Sequence, residues 1–127
     1  MFYDFVTPHS LSFTLNDRYI NLFKEILNTW SEYSSNLYLF GSFSKGYIHK
    51  NSDIDLILIL PDVDMSVKEL RNLKAALIEE VLDICIKYDK EIDLKVYGEK
   101  NFRLAMSRNY FEQNIVNDLI LLKEVVA

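Results

Sequence analysis

The amino-acid sequence predicts an α/β (α+β) fold in a single domain over residues 1–127, a β-sheet with helices packed mainly on one face. Two short runs, Leu37 to Phe40 and Ile54 to Leu60, apolar but for Asp55, have strand length and end at Gly41 and Pro61. A third stretch, Glu91 to Tyr97, alternates apolar Ile92, Leu94 and Val96 with Asp93, Lys95 and Tyr97. Before and between these runs, apolar residues recur at helical spacing.

The elements follow in order. Thr14, with Asp17 three residues on, caps a first helix in a variant of the capping box. Tyr19, Leu22, Phe23, Ile26, Leu27 and Trp30 give that helix one apolar stripe, and polar Ser31 to Asn36 breaks it. The continuously aliphatic run from Ile54 is expected of a strand covered on both faces. Ser66 and Glu69 form a capping-box signature for a long helix to about Tyr88, with Leu70, Leu73, Leu77, Val81, Ile84 and Tyr88 as its seam. Tyr97-Gly98-Glu99 reads as a turn, and a helix spans much of Asn101 to Asn117. Leu119 to Leu122 reads as a last strand or a helix end. No internal repeat, linker or low-complexity segment is present.

Composition excludes several classes. Half the residues are apolar and charges are interspersed, so the chain is globular. At 127 residues it has room for a core but not for an added substrate domain. Net charge is −5 and there is no polybasic tract, which argues against tight nucleic-acid binding. Cys85 is the single cysteine, so no internal disulfide forms and a cytoplasmic location is expected; the residue reads as a small core side chain. The N-terminal residues lack the pattern of a signal peptide, and no apolar run is long enough to cross a bilayer.

The chemistry concentrates between residues 41 and 55. Side chains alternate along a strand, so Asp53 and Asp55 share a face while Ile54 points to the core. Two neighbouring carboxylates repel, and a divalent cation removes that penalty; hard oxygen ligands suit Mg²⁺ or Mn²⁺. If the strand carrying Asp93 is adjacent, three carboxylates converge on a site able to hold two metal ions. Gly41 lets a backbone approach a phosphate, Ser42 adds a hydroxyl and an amide, Lys45 adds a positive charge, and Gly46 relieves the next turn. Gly41 and Gly46 have Walker A spacing, but Tyr47-Ile48 occupies the positions of its Lys and Ser/Thr, so this is not a P-loop. Each feature is commonplace alone, and their joint order is what points to nucleotide chemistry.

At these residues the chain resembles the minimal nucleotidyltransferases of the DNA polymerase beta superfamily. Their pattern is Gly-Ser, a spacer of this length, Asp-x-Asp, and a third acid on a later strand; Gly41, Ser42, Asp53, Asp55 and Asp93 match it. The resemblance implies a mixed β-sheet of polymerase-beta-like nucleotidyltransferase fold. It also implies transfer of AMP from ATP to an acceptor hydroxyl, with Asp53 and Asp55 binding Mg²⁺. Asp93 then completes a metal site and helps deprotonate the acceptor, with Glu91 as the alternative third acid. Ser42 with Gly41 holds the β- and γ-phosphates. Ser44-Lys45-Gly46 departs from the Ala-Arg-Gly of many relatives, and lysine lacks the bidentate fork of arginine.

Chains of this size look like the antitoxin of a pair with a HEPN-domain ribonuclease toxin, silenced by adenylylation of a tyrosine. The resemblance therefore implies a hetero-oligomer with that toxin. Neither His9 nor His49 follows an arginine at the short spacing of those ribonucleases, so this chain is not the toxin itself. Two other functions stay open: a non-catalytic antitoxin that blocks its toxin sterically, and a nucleotidyltransferase subunit acting on a small molecule or an RNA end. His49 reads as a surface residue, and Phe2, Tyr3 and Phe5 as a partner-docking segment.

Overall fold

The computed structural model describes residues 17–41, 53–61 and 64–126. The cap expected at Thr14, the aromatic segment Phe2 to Phe5, His9, and the loop bearing Ser42, Lys45, Gly46 and His49 lie outside the described residues. Helix α1 (Asp17–Thr29) buries Leu22, Phe23 and Ile26, with Trp30 just beyond its end. These are the stripe residues, and Tyr19 and Leu27 pack against the same cluster. A 3-10 helix (Ser31–Asn36) then leads into strand β1 (Leu37–Phe40), all four of whose residues are buried.

Strand β2 (Ile54–Leu60) and helix α2 (Val67–Glu80) follow. At the start of α2 the Glu69 N–H donates to Ser66 Oγ at 3.1 Å, and the Ser66 N–H donates to Glu69 Oε1 at 3.2 Å. Both bonds of the capping box are therefore made. The expected single helix to Tyr88 is interrupted: α2 ends, Val81 sits at φ −108°, ψ 7°, and α3 (Leu82–Tyr88) starts afresh. Fully buried Val81 anchors the break, because the chain bends there to keep Ile84 and Tyr88 on the core alongside α1. Trp30 ties α1 to α2 by donating its indole N–H to the Leu77 carbonyl at 3.1 Å.

Strand β3 runs from Ile92 to Gly98, so the expected turn at Tyr97-Gly98-Glu99 is instead a strand end followed directly by helix α4 (Glu99–Arg108). The helix expected across Asn101 to Asn117 is also divided. Asn109 is extended at φ −115°, ψ 134°, separating α4 from α5 (Tyr110–Ile115) and a 3-10 turn at Val116–Asp118. The bend returns the chain so that Phe102 of α4 and Ile115 of α5 reach one apolar cluster. The last segment is both things expected of it: strand β4 (Ile120–Leu121), then helix α6 (Leu122–Val125).

The described strands form a sheet in the order β3-β2-β1-β4. β1 pairs antiparallel with β2 and β4, whereas β2 and β3 are parallel, the crossover between them carrying α2 and α3. The sheet is mixed, as expected. One face presents Leu37, Leu39, Leu56, Leu58 and Leu94 to the cluster shared with α1, α2, α3 and α6. The other presents Tyr38, Phe40, Ile57 and Ile59 to the smaller cluster under α4 and α5. The inner part of β2 is thus buried on both sides, which explains the unbroken aliphatic run from Leu56 to Leu60. Among the described residues, no helix is long and apolar enough to cross a membrane.

Candidate active site

Strand register assembles the acidic row. Phe40 of β1 is the partner of Asp55, and Asp55 is the partner of Asp93 in the parallel β2–β3 ladder. Partnered residues on adjacent strands share a face, with backbones about 4.8 Å apart. Asp55 and Asp93 therefore lie side by side on the face covered farther along by α4 and α5. Asp53 precedes the strand by one residue and is exposed. Glu91, the alternative third acid, lies before β3, and its carbonyl accepts the Ile54 N–H at 2.9 Å. The register pairs Asp55 with Asp93 rather than with Glu91.

Gly41 closes the row from above. Its φ is +75°, in the left-handed region that L side chains rarely adopt. A Cβ placed there would meet Asp55 Oδ2 at 2.3 Å, Asp55 Cγ at 3.1 Å and Asp55 Cβ at 3.2 Å. The backbone therefore turns directly against the Asp55 carboxylate, and only glycine allows both the turn and the contact. The Ser42 half of the turn, with Lys45 and Gly46, falls among the residues not described.

Electrostatics agree with the geometry. Asp55 is half-buried, and its pKa is raised above the ordinary carboxylate value by burial first, then by the Asp93 and Asp53 charges, with Lys95 pulling the other way. Both neighbouring acids thus act on Asp55, and a cation at this face would relieve that repulsion. Among the described residues no three acidic, histidine or cysteine side chains are gathered closely enough to ligate one ion as they stand. The Asp93 carboxylate instead lies 3.7 Å from Lys95 Nζ, with side chains 46% and 33% exposed, so the pair is loose and weak. The Asp55 and Asp93 backbones are partners, so the two carboxylates extend from neighbouring points on one face of the sheet. The donor set, hard oxygen throughout, fits Mg²⁺ or Mn²⁺.

Two neighbours were not singled out from the sequence as parts of the site. The Phe111 ring, on α5, stands edge-on to Phe40 with centroids 6.2 Å apart, and Lys95 Nζ lies 5.5 Å from its centroid. Phe111 is 41% exposed, an aromatic wall beside the acidic row. It is held there through α5, where the Tyr97 hydroxyl donates to Glu112 Oε1 at 3.2 Å. Burial, aided by the Glu112 charge, pushes the Tyr97 hydroxyl up to about 12, so it stays a donor. Lys95 could have been found from its place two residues after Asp93 on one strand; Phe111 carried no such signal.

Comparison with known proteins adds the following. Residues 21–124 match the model of a family described as polymerase beta, nucleotidyltransferase. A solved structure described as "Crystal structure of the toxin-antitoxin with AMP-PNP" contains a chain with 25% sequence identity to this one. The match covers 61% of this chain and 56% of that one, with a TM-score of 0.40, so this chain spans little more than half of its length. Comparison with curated proteins gave no match.

Proposed function

We propose that this chain, which belongs to the polymerase beta nucleotidyltransferase family, transfers AMP from ATP to a hydroxyl of a HEPN-domain ribonuclease toxin. The acceptor in this reading is a tyrosine, and the chain acts as the cytoplasmic antitoxin in a hetero-oligomer with that toxin. The observation that supports it most is the register: Asp55 partners Asp93 on β3 and lies against the glycine that ends β1.

Asp53, Asp55 and Asp93 would hold Mg²⁺, which when bound supplies positive charge to the phosphoryl oxygens. The acceptor oxygen bonds to the α-phosphorus, the α–β phosphoanhydride bond breaks, and pyrophosphate leaves. The hydroxyl proton passes to Asp93, the acid on the outer strand. Gly41, lacking a side chain, lets the turn approach the triphosphate, where Ser42 and Lys45 offer a hydroxyl and a charge and Gly46 gives the loop room. Asp55, half-buried and facing the Asp93 and Asp53 charges, is a carboxylate whose ionised form a cation would favour.

The test is incubation with labelled ATP, Mg²⁺ and the product of the neighbouring reading frame. Wild type should label that partner, while Asp53→Ala and Asp55→Ala should lose on the order of 10²-fold or more in rate. Protection from the toxin by both variants, with no label transferred, would replace this reading with steric inhibition. Label appearing on RNA or a small molecule instead of the protein would replace the acceptor.

A further inference from the structure

β3 is the outer strand of the described sheet. The Ile54 N–H donates to the Glu91 carbonyl, so Glu91, Asp93, Lys95 and Tyr97 turn their backbone groups toward β2. Leu94 and Val96 turn theirs toward the opposite edge. Along that edge lies a groove of about 650 Å³, lined by Arg71 and Lys74 of α2, by Lys95, and by the apolar Leu70 and Val96. Arg71 and Lys74 are exposed, and no ion pair joins either to another described residue. Three cations thus flank one strand edge on a chain whose net charge is −5.

We infer that the protein acceptor presents its hydroxyl in an extended acidic segment that adds to the outer edge of β3. The inference rests on the transfer reading above and names how the acceptor reaches that site. Side chains of an added strand alternate between the two faces of the sheet. On one face they meet Arg71 and Lys74, where carboxylates are favoured; on the other they meet Lys95 beside Asp93 and Asp55, the face on which the acceptor residue stands. Backbone pairing with Leu94 and Val96 supplies affinity without demanding a sequence, and the cations supply selectivity. A residue level with Asp93 on such a strand has its Cβ about 5 Å from that of Asp93. A hydroxyl carried there is within reach of the acid assigned to take its proton. A nucleic-acid strand offers the charge but no backbone to pair with β3.

The probe is a fluorescent peptide with one tyrosine followed by alternating glutamate and valine. Its companions are the lysine-for-glutamate version, versions N-methylated at every second amide in either phase, and a single-stranded oligonucleotide. Anisotropy without ATP reads binding; labelled ATP with Mg²⁺ reads transfer. The acidic peptide should bind and the lysine peptide should not. N-methylation in one phase should abolish binding. The Arg71→Glu/Lys74→Glu variant, changed only at exposed positions, should weaken binding about tenfold or more, while Arg71→Lys retains it. Acidic and basic peptides binding alike, indifference to N-methylation or to charge reversal, or binding of the oligonucleotide alone would each overturn the inference. Binding as described without transfer would refute the transfer reading and leave the docking edge standing. Transfer to a peptide regardless of its charge and methylation would refute the docking edge alone.

Discussion

Replacing Gly41 by alanine probes the contact on which the site's geometry depends. The added Cβ would lie 2.3 Å from Asp55 Oδ2, 3.1 Å from Cγ and 3.2 Å from Cβ. A φ of +75° costs an L residue about 1–2 kcal/mol. Forcing Asp55 aside adds about 1–3 kcal/mol, the usual range for overpacking. The expected loss is therefore about 2–5 kcal/mol, read as a shift in urea midpoint at unchanged m. In an Asp55→Ala background Oδ2 and Cγ are gone and the Cβ contact alone survives. There, Gly41→Ala should cost only the backbone part, about 1–2 kcal/mol. The double-mutant cycle should thus return a coupling of about 1–3 kcal/mol between two residues far apart in sequence. Equal losses in both backgrounds would refute the reasoning, as would a loss below about 1 kcal/mol in the native one.

Two further outcomes follow from the same structure. Burial and the Asp93 and Asp53 charges raise the Asp55 pKa, so the native state holds that proton more tightly than the unfolded chain. Stability then falls as pH rises from the ordinary carboxylate value through the raised one, and ionised Asp55 is a cost at neutral pH. Asp55→Asn in chelator-containing buffer should accordingly raise the melting temperature at pH 7 and flatten its decline above pH about 4; a lower melting temperature would contradict this. Trp30→Phe removes the donor to the Leu77 carbonyl and opens space at a residue only 1% exposed. Denaturant titration should find it less stable by about 1–3 kcal/mol.

What the sequence revealed, and what it hid, follows from how locally each feature is encoded. β1 and β2 were legible because burial on both faces demands unbroken apolar stretches, here Leu37 to Phe40 and Leu56 to Leu60, and Gly41 and Pro61 mark their ends. The start of α2 was legible because Ser66 and Glu69 form a closed local circuit. The break at Val81 was not, since the apolar seam continues across it and periodicity registers faces rather than bends. Asn109 hid its extended backbone in the same way, its bend being set by the reach of Phe102 and Ile115 toward one cluster. Asp55 could be set opposite Ile54 by alternation alone, and the charge of Asp53, one residue before the strand, reaches it. The partnership of Asp55 with Asp93 depends on a parallel crossover, and that of Phe40 with Phe111 on α5 folding back, neither of which short-range pattern encodes.

The central claim is that acids from β2 and β3 share a divalent cation beside the Gly41 turn. Electron paramagnetic resonance of Mn²⁺, titrated with a non-hydrolysable ATP analogue present, measures this directly. Wild type should hold the ion, Asp53→Asn and Asp55→Asn should release it, and Asp93→Asn should hold it more weakly. Mn²⁺ bound equally by wild type and all three variants would contradict the account.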